Sequence, residues 1–433
     1  MDIYVVQQGD SIYTIADKYN ISVDKLILDN GIENANNLIV GQTIVIVYPS
    51  QTYTVQEGDT IKSIASSYGI TVNQILRNNP SLYGREYIYS GEILVISYNT
   101  SRELTTNGFV YPYVSKEILT KTLPYLTFLS VFNYRIGEKG NIISYIDDSE
   151  IIQLAKTYGT LPLLMISALT VLGEANIEMI YELLINEEYQ EYLINTTMNL
   201  LTNKGFRGIN IVITNLNTSN QQLYINLITK ISNRLNKDGY LLFVTVNPNI
   251  KTEDNTISFE KIDYKSISQL VYRLTFLQYY WAVNTNPPGP VSSITALRTF
   301  MDYVSSITST QNLSIGKQLI AYDWALPYIQ GETIANSLTL NSAIALAGDT
   351  GSHIQFDEPS QTPYFNYYAS YTGELINHIV WSIDARSIKA IDDLIVDYQL
   401  VGSGIWNLMI YYQQMWTVMI SRFDIVKFLP ENF

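Results

Sequence analysis

A nine-residue string near the start of the chain, Tyr4-Val5-Val6-Gln7-Gln8-Gly9-Asp10-Ser11-Ile12, returns as Tyr53-Thr54-Val55-Gln56-Glu57-Gly58-Asp59-Thr60-Ile61, an offset of 49 residues. A repeat at fixed spacing demands one small fold made twice. The register persists well beyond the string. Ile15-Ala16 matches Ile64-Ala65, Tyr19 matches Tyr68, and Asn30 matches Asn79. Gly41-Gln42-Thr43-Ile44 answers Gly91-Glu92-Ile93-Leu94 with one residue inserted. Each unit reads as strand, helix, helix, strand. Asp10-Ser11 and Asp59-Thr60 stand where a side-chain oxygen can cap the exposed amides of a helix start. Each unit closes on a short apolar strand, 43–47 and 93–96.

A polar bridge, Tyr98-Asn99-Thr100-Ser101-Arg102-Glu103, follows the repeats. Beyond it the chain alternates apolar strands with helical stretches. The strands are read at 108–111, 125–132, 162–168, 208–213, 240–246, 270–278, 314–320 and 404–409, with helices such as 149–158, 190–203 and 219–236 between them. Eight such alternations predict an α/β chain with a (β/α)8 barrel. The connection from Asp323 to about Asp384 is too long for a simple crossover and is read as an inserted α+β subdomain. The expected organisation is 1–48 and 51–97 for two small βααβ modules, 98–106 for a linker, and 107–433 for the barrel with its insertion.

Composition narrows the class. A chain of 433 residues with 47% hydrophobic content is globular and large enough for several domains. A net charge of −14 disfavours nucleic acid and anionic membrane as partners. Cysteine is absent and only two histidines occur, so neither a metal site nor a cofactor is expected. Met1-Asp2-Ile3-Tyr4 lacks the basic and apolar segments of a signal peptide. No apolar run is long enough to span a membrane. The 35 tyrosines suit interfacial and sugar-facing surface, because the ring is apolar and its tip polar. Tyrosine cross-linking in a protein coat is the other reading of this count.

The stretch Lys204-Gly205-Phe206-Arg207-Gly208-Ile209-Asn210-Ile211-Val212-Ile213-Thr214-Asn215 carries the functional question. Side chains alternate along a strand, so Asn210, Val212 and Thr214 share the face opposite Ile209, Ile211 and Ile213. In a glycosidase barrel that face points inward and holds carboxylates. Here it offers an amide, an isopropyl group and a hydroxyl.

The paired N-terminal units closely resemble LysM modules, which bind N-acetylglucosamine-containing glycans such as peptidoglycan in a shallow groove. The resemblance places Gly9, Asp10, Ser11, Ile12, Asn30, Gly31 and Ile32 in the first groove. It places Gly58, Asp59, Thr60, Ile61, Asn79 and Pro80 in the second. Leu123-Pro124-Tyr125-Leu126-Thr127, Lys204-Gly205-Phe206, Tyr322-Asp323-Trp324-Ala325-Leu326-Pro327-Tyr328, Asp384-Ala385-Arg386-Ser387 and Trp406-Asn407-Leu408 add a second likeness. Together with the modules they resemble the family-18 glycoside hydrolases of bacterial spores, N-acetylglucosaminidases that cleave cortex peptidoglycan fragments during germination.

The family resemblance implies substrate-assisted catalysis. The sugar's N-acetyl oxygen attacks the anomeric carbon, a Glu at the end of the fourth strand protonates the leaving oxygen, and an Asp two residues earlier orients the N-acetyl group. The family pattern D-x-x-D-x-D-x-E falls on Arg207, Asn210, Val212 and Thr214. The acid position is thus Thr214 and the orienting position Val212. Ile320 and Ile383 stand where the family has Tyr and Glu. Tyr279, Trp281 and Trp406 match the family's site and would stack on a pyranose. These departures lead to the expectation that the chain is not an enzyme but a degenerate glycosidase barrel with no catalytic residue. It would be a peptidoglycan-binding protein of the spore coat or surface, made without a signal peptide, with itself or other coat proteins as further partners. The alternative is an active N-acetylglucosaminidase using a displaced acid, Asp323 or Asp384.

Overall fold

The computed structural model describes residues 1–85, 87–169, 176–253, 256–277, 285–371 and 373–428. Each N-terminal repeat folds as its sequence dictates. In the first, strand Asp2–Val5 pairs antiparallel with Thr43–Ile46, and helices Ile12–Tyr19 and Val23–Asn30 lie between them. Ser11 caps its helix reciprocally: its Oγ accepts from Thr14 N at 3.1 Å, and Thr14 Oγ1 accepts from Ser11 N at 3.0 Å. Thr60 and Ser63 repeat this box in the second module. Val6, Ile12, Ile15, Leu26, Ile44 and Ile46 form the first module's own small core.

Eight parallel strands then close into a barrel: β1 (Arg102–Val110), β2 (Phe128–Ile136), β3 (Leu161–Ser167), β4 (Gly208–Ile213), β5 (Leu241–Val246), β6 (Arg273–Phe276), β7 (Leu313–Gln318) and β8 (Gly402–Trp406). Each pairs with the next in chain order, and β8 returns to β1. Several strand bounds differ from expectation; residue 125, read as strand, lies in a helical turn, and β2 runs from Phe128 to Ile136. Residues 264–270 are helical, because Asp263 caps them by accepting from Ser266 N at 3.0 Å, so β6 starts only at Arg273. The last strand starts at Gly402 and ends at Trp406. β1 starts at Arg102, so only three residues separate it from the strand Ile93–Tyr98 that ends the second module.

The barrel interior follows the two-residue period in layers. Phe128, Leu161, Leu163 and Phe243 plug the N-terminal end. A polar belt crosses the middle. Ser130 Oγ donates to Asn107 Oδ1 at 3.0 Å, Asn210 Nδ2 donates to Ser130 Oγ at 3.0 Å, and Thr245 Oγ1 donates to Asn210 Oδ1 at 2.8 Å. Above it, Phe109, Phe132, Met165, Val212 and Leu277 form a second apolar plug. Gly316 makes room for it, since a Cβ there would lie 2.3 Å from Leu277 Cδ1.

The insertion between β7 and β8 is a five-stranded antiparallel sheet with one helix, Leu340–Asp349. Both modules are bonded to the barrel through buried polar groups. Gln414, on helix Gln413–Arg422 after β8, donates to Thr43 O at 2.6 Å and accepts from Thr43 Oγ1 at 3.0 Å. Thr417 Oγ1 donates to Asp29 O at 2.6 Å. In the second module, Arg77 donates to Asp424 Oδ1 at 2.6 Å, and Tyr125 OH donates to Arg77 O at 2.9 Å.

Candidate active site and glycan-binding modules

The barrel mouth is where the C-terminal ends of the strands meet, the usual place for chemistry in this fold. Asn210 is fully buried in the polar belt, Val212 is 5% exposed within the upper apolar plug, and Thr214 lies half-buried just beyond the strand. Ile320 is half-buried after β7, and Ile383 is buried beside the helix Ala385–Asp397.

Aromatic rings gather on the side of the rim formed by β8, β1 and β2. Trp406, at the end of β8, has its ring 5.5 Å from Phe109 and 6.2 Å from Tyr111. Tyr111 in turn stacks with Tyr113 at 5.4 Å and meets Phe132 edge-on at 5.2 Å. Tyr113 is 67% exposed and leaves a ring free to face a ligand. Burial, and then the neighbouring Tyr113, pushes the Tyr111 phenol above its ordinary range, so it keeps its proton. Tyr111 and Tyr113 were not anticipated. Their signal was present as Phe109-Val110-Tyr111-Pro112-Tyr113, aromatics at strand period running off the end of β1. Tyr279 and Trp281 lie outside the described residues.

The two candidate displaced acids are held by internal partners. Asp323 Oδ2 accepts from Tyr367 OH at 2.8 Å, and its Oδ1 lies 2.9 Å from His378 Nδ1. Sheet register puts Asp323 on the same face as Phe365, Tyr367, His378 and Val380, and Phe365 lines a small cavity with Leu340 and Ala343 of the insertion helix. Tyr322 and Trp324 take the opposite face, where Trp324 Nε1 donates to Asn286 O at 2.9 Å in the segment beyond β6. Asp384 caps the helix Ala385–Asp397, accepts from Arg386 N at 2.8 Å and pairs with Arg386 Nη2 at 2.7 Å. Among the described residues no group of three acidic, histidine or cysteine side chains is placed to hold a metal ion.

In the modules, the turn residues that recur between the two repeats are largely occupied by the turn itself. Asp10 Oδ2 accepts from Tyr4 OH and from Gln7 N, both at 2.7 Å. Asp59 repeats this with Tyr53 OH and Gln56 N. Asn30 donates to Leu26 O and Val45 O and accepts from Val45 N, which ties the second helix to the closing strand. Asn79 makes the same three bonds with Ile75 and Val95. Ile12 is buried in the module core, while Ile32, Ile61 and Pro80 are half-buried. Gly9, Gly58 and Thr60 are exposed, Ser11 is half-buried as a cap, and Gly31 lies against Gln413 of the barrel's last helix.

A closed eight-stranded parallel barrel with an aromatic rim, preceded by two βααβ modules, defines a glycosidase-type architecture. The chain belongs to the glycosyl hydrolases family 18, whose model matches residues 166–409, and LysM domains match residues 4–47 and 53–97. It is 30% identical to the cortical fragment-lytic enzyme of Bacillus subtilis (strain 168) and 28% identical to that of Bacillus anthracis, in both cases over 99% of each chain. Among solved structures, the spore cortex-lytic enzyme SleL of Bacillus megaterium QM B1551 superposes with a TM-score of 0.79 at 28% identity, covering 99% of both chains. The LysM and family-18 domains indicate binding of peptidoglycan or another N-acetylglucosamine-containing glycan. No helix among the described residues is long and apolar enough to cross a membrane.

These findings correct one expectation. The side chains at Val212 and Thr214 pointed away from an enzyme, yet relatives that match from end to end are named as lytic enzymes. That expectation set the side chains at Val212, Thr214, Ile320 and Ile383 against a whole scaffold. In substrate-assisted chemistry the nucleophile belongs to the sugar, and a missing general acid lowers a rate by about 10²–10⁴ without removing the reaction path.

Proposed function

We propose that this chain is a glycosidase that cleaves N-acetylglucosamine-containing fragments of spore cortex peptidoglycan, with its LysM modules holding the same glycan. The observation that carries this reading is the end-to-end match, modules and barrel in the same order, to relatives named for cortex lysis. The rim supports it. Trp406 and Tyr113 offer aromatic faces of the kind that pack on the C–H face of a pyranose. The N-acetyl oxygen of the bound sugar is the nucleophile in this reading. The proton for the leaving oxygen comes from a group other than residue 214, since a threonine hydroxyl cannot supply it near neutral pH. The same reading places the protein in the spore, where cortex fragments are found.

The test is direct. Purified protein is incubated with cortex muropeptides, and products are followed by liquid chromatography and mass spectrometry. Fragments newly ended at N-acetylglucosamine, formed in proportion to protein concentration, are expected. Product levels no higher than in protein-free controls would refute the proposal.

A further inference from the structure

Between the first module and the insertion lies a cleft of about 150 Å³. A benzene-sized ring fills a closed cavity of that volume, so a larger ligand would lie partly outside the cleft. One wall is the loop that follows the module's second helix, the other is the helix Leu340–Asp349. The walls are fixed to each other. Asn341 Nδ2 donates to Glu33 Oε1 across the gap at 2.7 Å, and Ile354 N donates to Val40 O at 2.9 Å. Gly348 lets the helix come close, since a Cβ there would lie 2.7 Å from Ile39 Cδ1. The cleft is therefore formed before any ligand arrives.

Its chemistry is divided. Ile32, Ile39 and Ile344 give it an apolar side. Asn34, Asn37 and Asn341 present carboxamides, and the amides of Asn34 and Asn37 make no side-chain hydrogen bond among the described residues. Glu33 and Asp349 are its charged residues, and no lysine or arginine lines it. An anionic ligand is thus disfavoured. A neutral ring with one apolar face, hydroxyls and an amide group suits it.

The second module is built differently at the equivalent place. Its equivalent loop runs from Asn79 into the short turn Pro80–Leu82, and Tyr83 then bonds to Tyr125 and Tyr411 of the barrel. The repeat has therefore produced two different environments from one motif.

We propose that this cleft is a subsite for one neutral N-acetylhexosamine unit, formed jointly by the first module and the insertion. The subsite rests on the reading of the chain as a binder of N-acetylglucosamine glycans, and it makes the first module a fixed extension of the barrel's glycan path. Cleft and module share the loop Asn30-Gly31-Ile32, so a chain held there continues directly into it.

The experiment uses the full chain, isotopically labelled, titrated with chitotetraose and followed by nuclear magnetic resonance. The side-chain amides of Asn34, Asn37 and Asn341 should shift on titration. Ala345 is exposed and lines the cleft. Ala345→Trp should fill it and weaken the affinity read at these amides by at least about tenfold, with the shifts around Gly58 to Ile61 unchanged. Asn37→Ala, on an exposed loop, should weaken it in the same direction and guards against misfolding of the first variant. Shifts elsewhere with silent cleft amides, or unchanged affinity in both variants, would overturn the subsite while leaving the glycan reading intact. No shift anywhere in the chain would overturn both.

Discussion

Gly41→Ala measures how firmly the first module is held, and the repeat supplies its control. Gly41 and its counterpart Gly91 have nearly the same backbone, with φ of +90° and +91°. Alanine in such a conformation costs on the order of 1–3 kcal/mol at either site. The surroundings differ. A Cβ on Gly41 would lie 1.9 Å from Ile354 O, whereas nothing lies within 4 Å of one on Gly91. Real side-chain carbons never approach a carbonyl oxygen so closely, so the module must move off the insertion. That movement breaks the bond from Ile354 N to Val40 O, about 1 kcal/mol when lost. It also strains the clamp from Asn341 to Glu33. Gly41→Ala should therefore destabilise by about 1–3 kcal/mol more than Gly91→Ala. Differential scanning calorimetry gives the comparison, and limited proteolysis reports where the chain opens. The Gly41 variant should be cut between module and insertion well before the Gly91 variant. Equal destabilisation and equal cleavage would refute the claim that the module is bolted to the insertion.

Three further outcomes follow from the geometry. Val212→Asp with Thr214→Glu puts carboxylates at the inward end of β4 and should raise the hydrolysis rate, read with muropeptides, by less than the roughly 10²–10⁴ that a sole general acid contributes, because another group already supplies the proton; it should also cost melting temperature, because position 212 is buried in an apolar plug. Asp384→Asn weakens a helix cap and an ion pair and should lower stability by about 0.5–2 kcal/mol, with turnover per folded molecule unchanged; Asp323→Asn should likewise act on stability, and a selective loss of turnover in either would make that carboxylate the acid. The Tyr4 phenol is pushed up to about 12, first by its hydrogen bond to Asp10, so the neutral form is favoured on folding. That contribution is complete below the ordinary phenol value of about 10 and is lost as pH rises through about 12. Tyr4→Phe should thus be less stable than the parent at pH 7 and converge with it in strong alkali, as followed by circular dichroism.

The barrel was legible because its signals are local. Gly208, the β-branched run behind it and the polar residue beyond it define β4 with no tertiary information, and the alternation of Asn210, Val212 and Thr214 fixes which side chains face inward. The modules were legible because the repeat states each signal twice. What the chain concealed depends on distant packing. Nothing near Asn30 reveals that Gln414 will bond to it from the far end of the chain. Asp323 looks like any free carboxylate until Tyr367 and His378 arrive from neighbouring strands of the insertion. Activity is hidden from local sequence for a related reason. Identities at positions 212, 214, 320 and 383 are sharp local facts, but activity belongs to the assembled mouth, and Tyr111 and Tyr113 join that mouth only when β1 lies beside β8 and β2.

The most direct measurement compares the unmodified chain with Thr214→Ala on cortex muropeptides under identical conditions. With the proton supplied by a group other than residue 214, both proteins should release N-acetylglucosamine-ended fragments at the same rate. Absence of release from both, with folded protein confirmed by calorimetry, would contradict the glycosidase reading, and release lost only in Thr214→Ala would contradict the account of where the proton comes from.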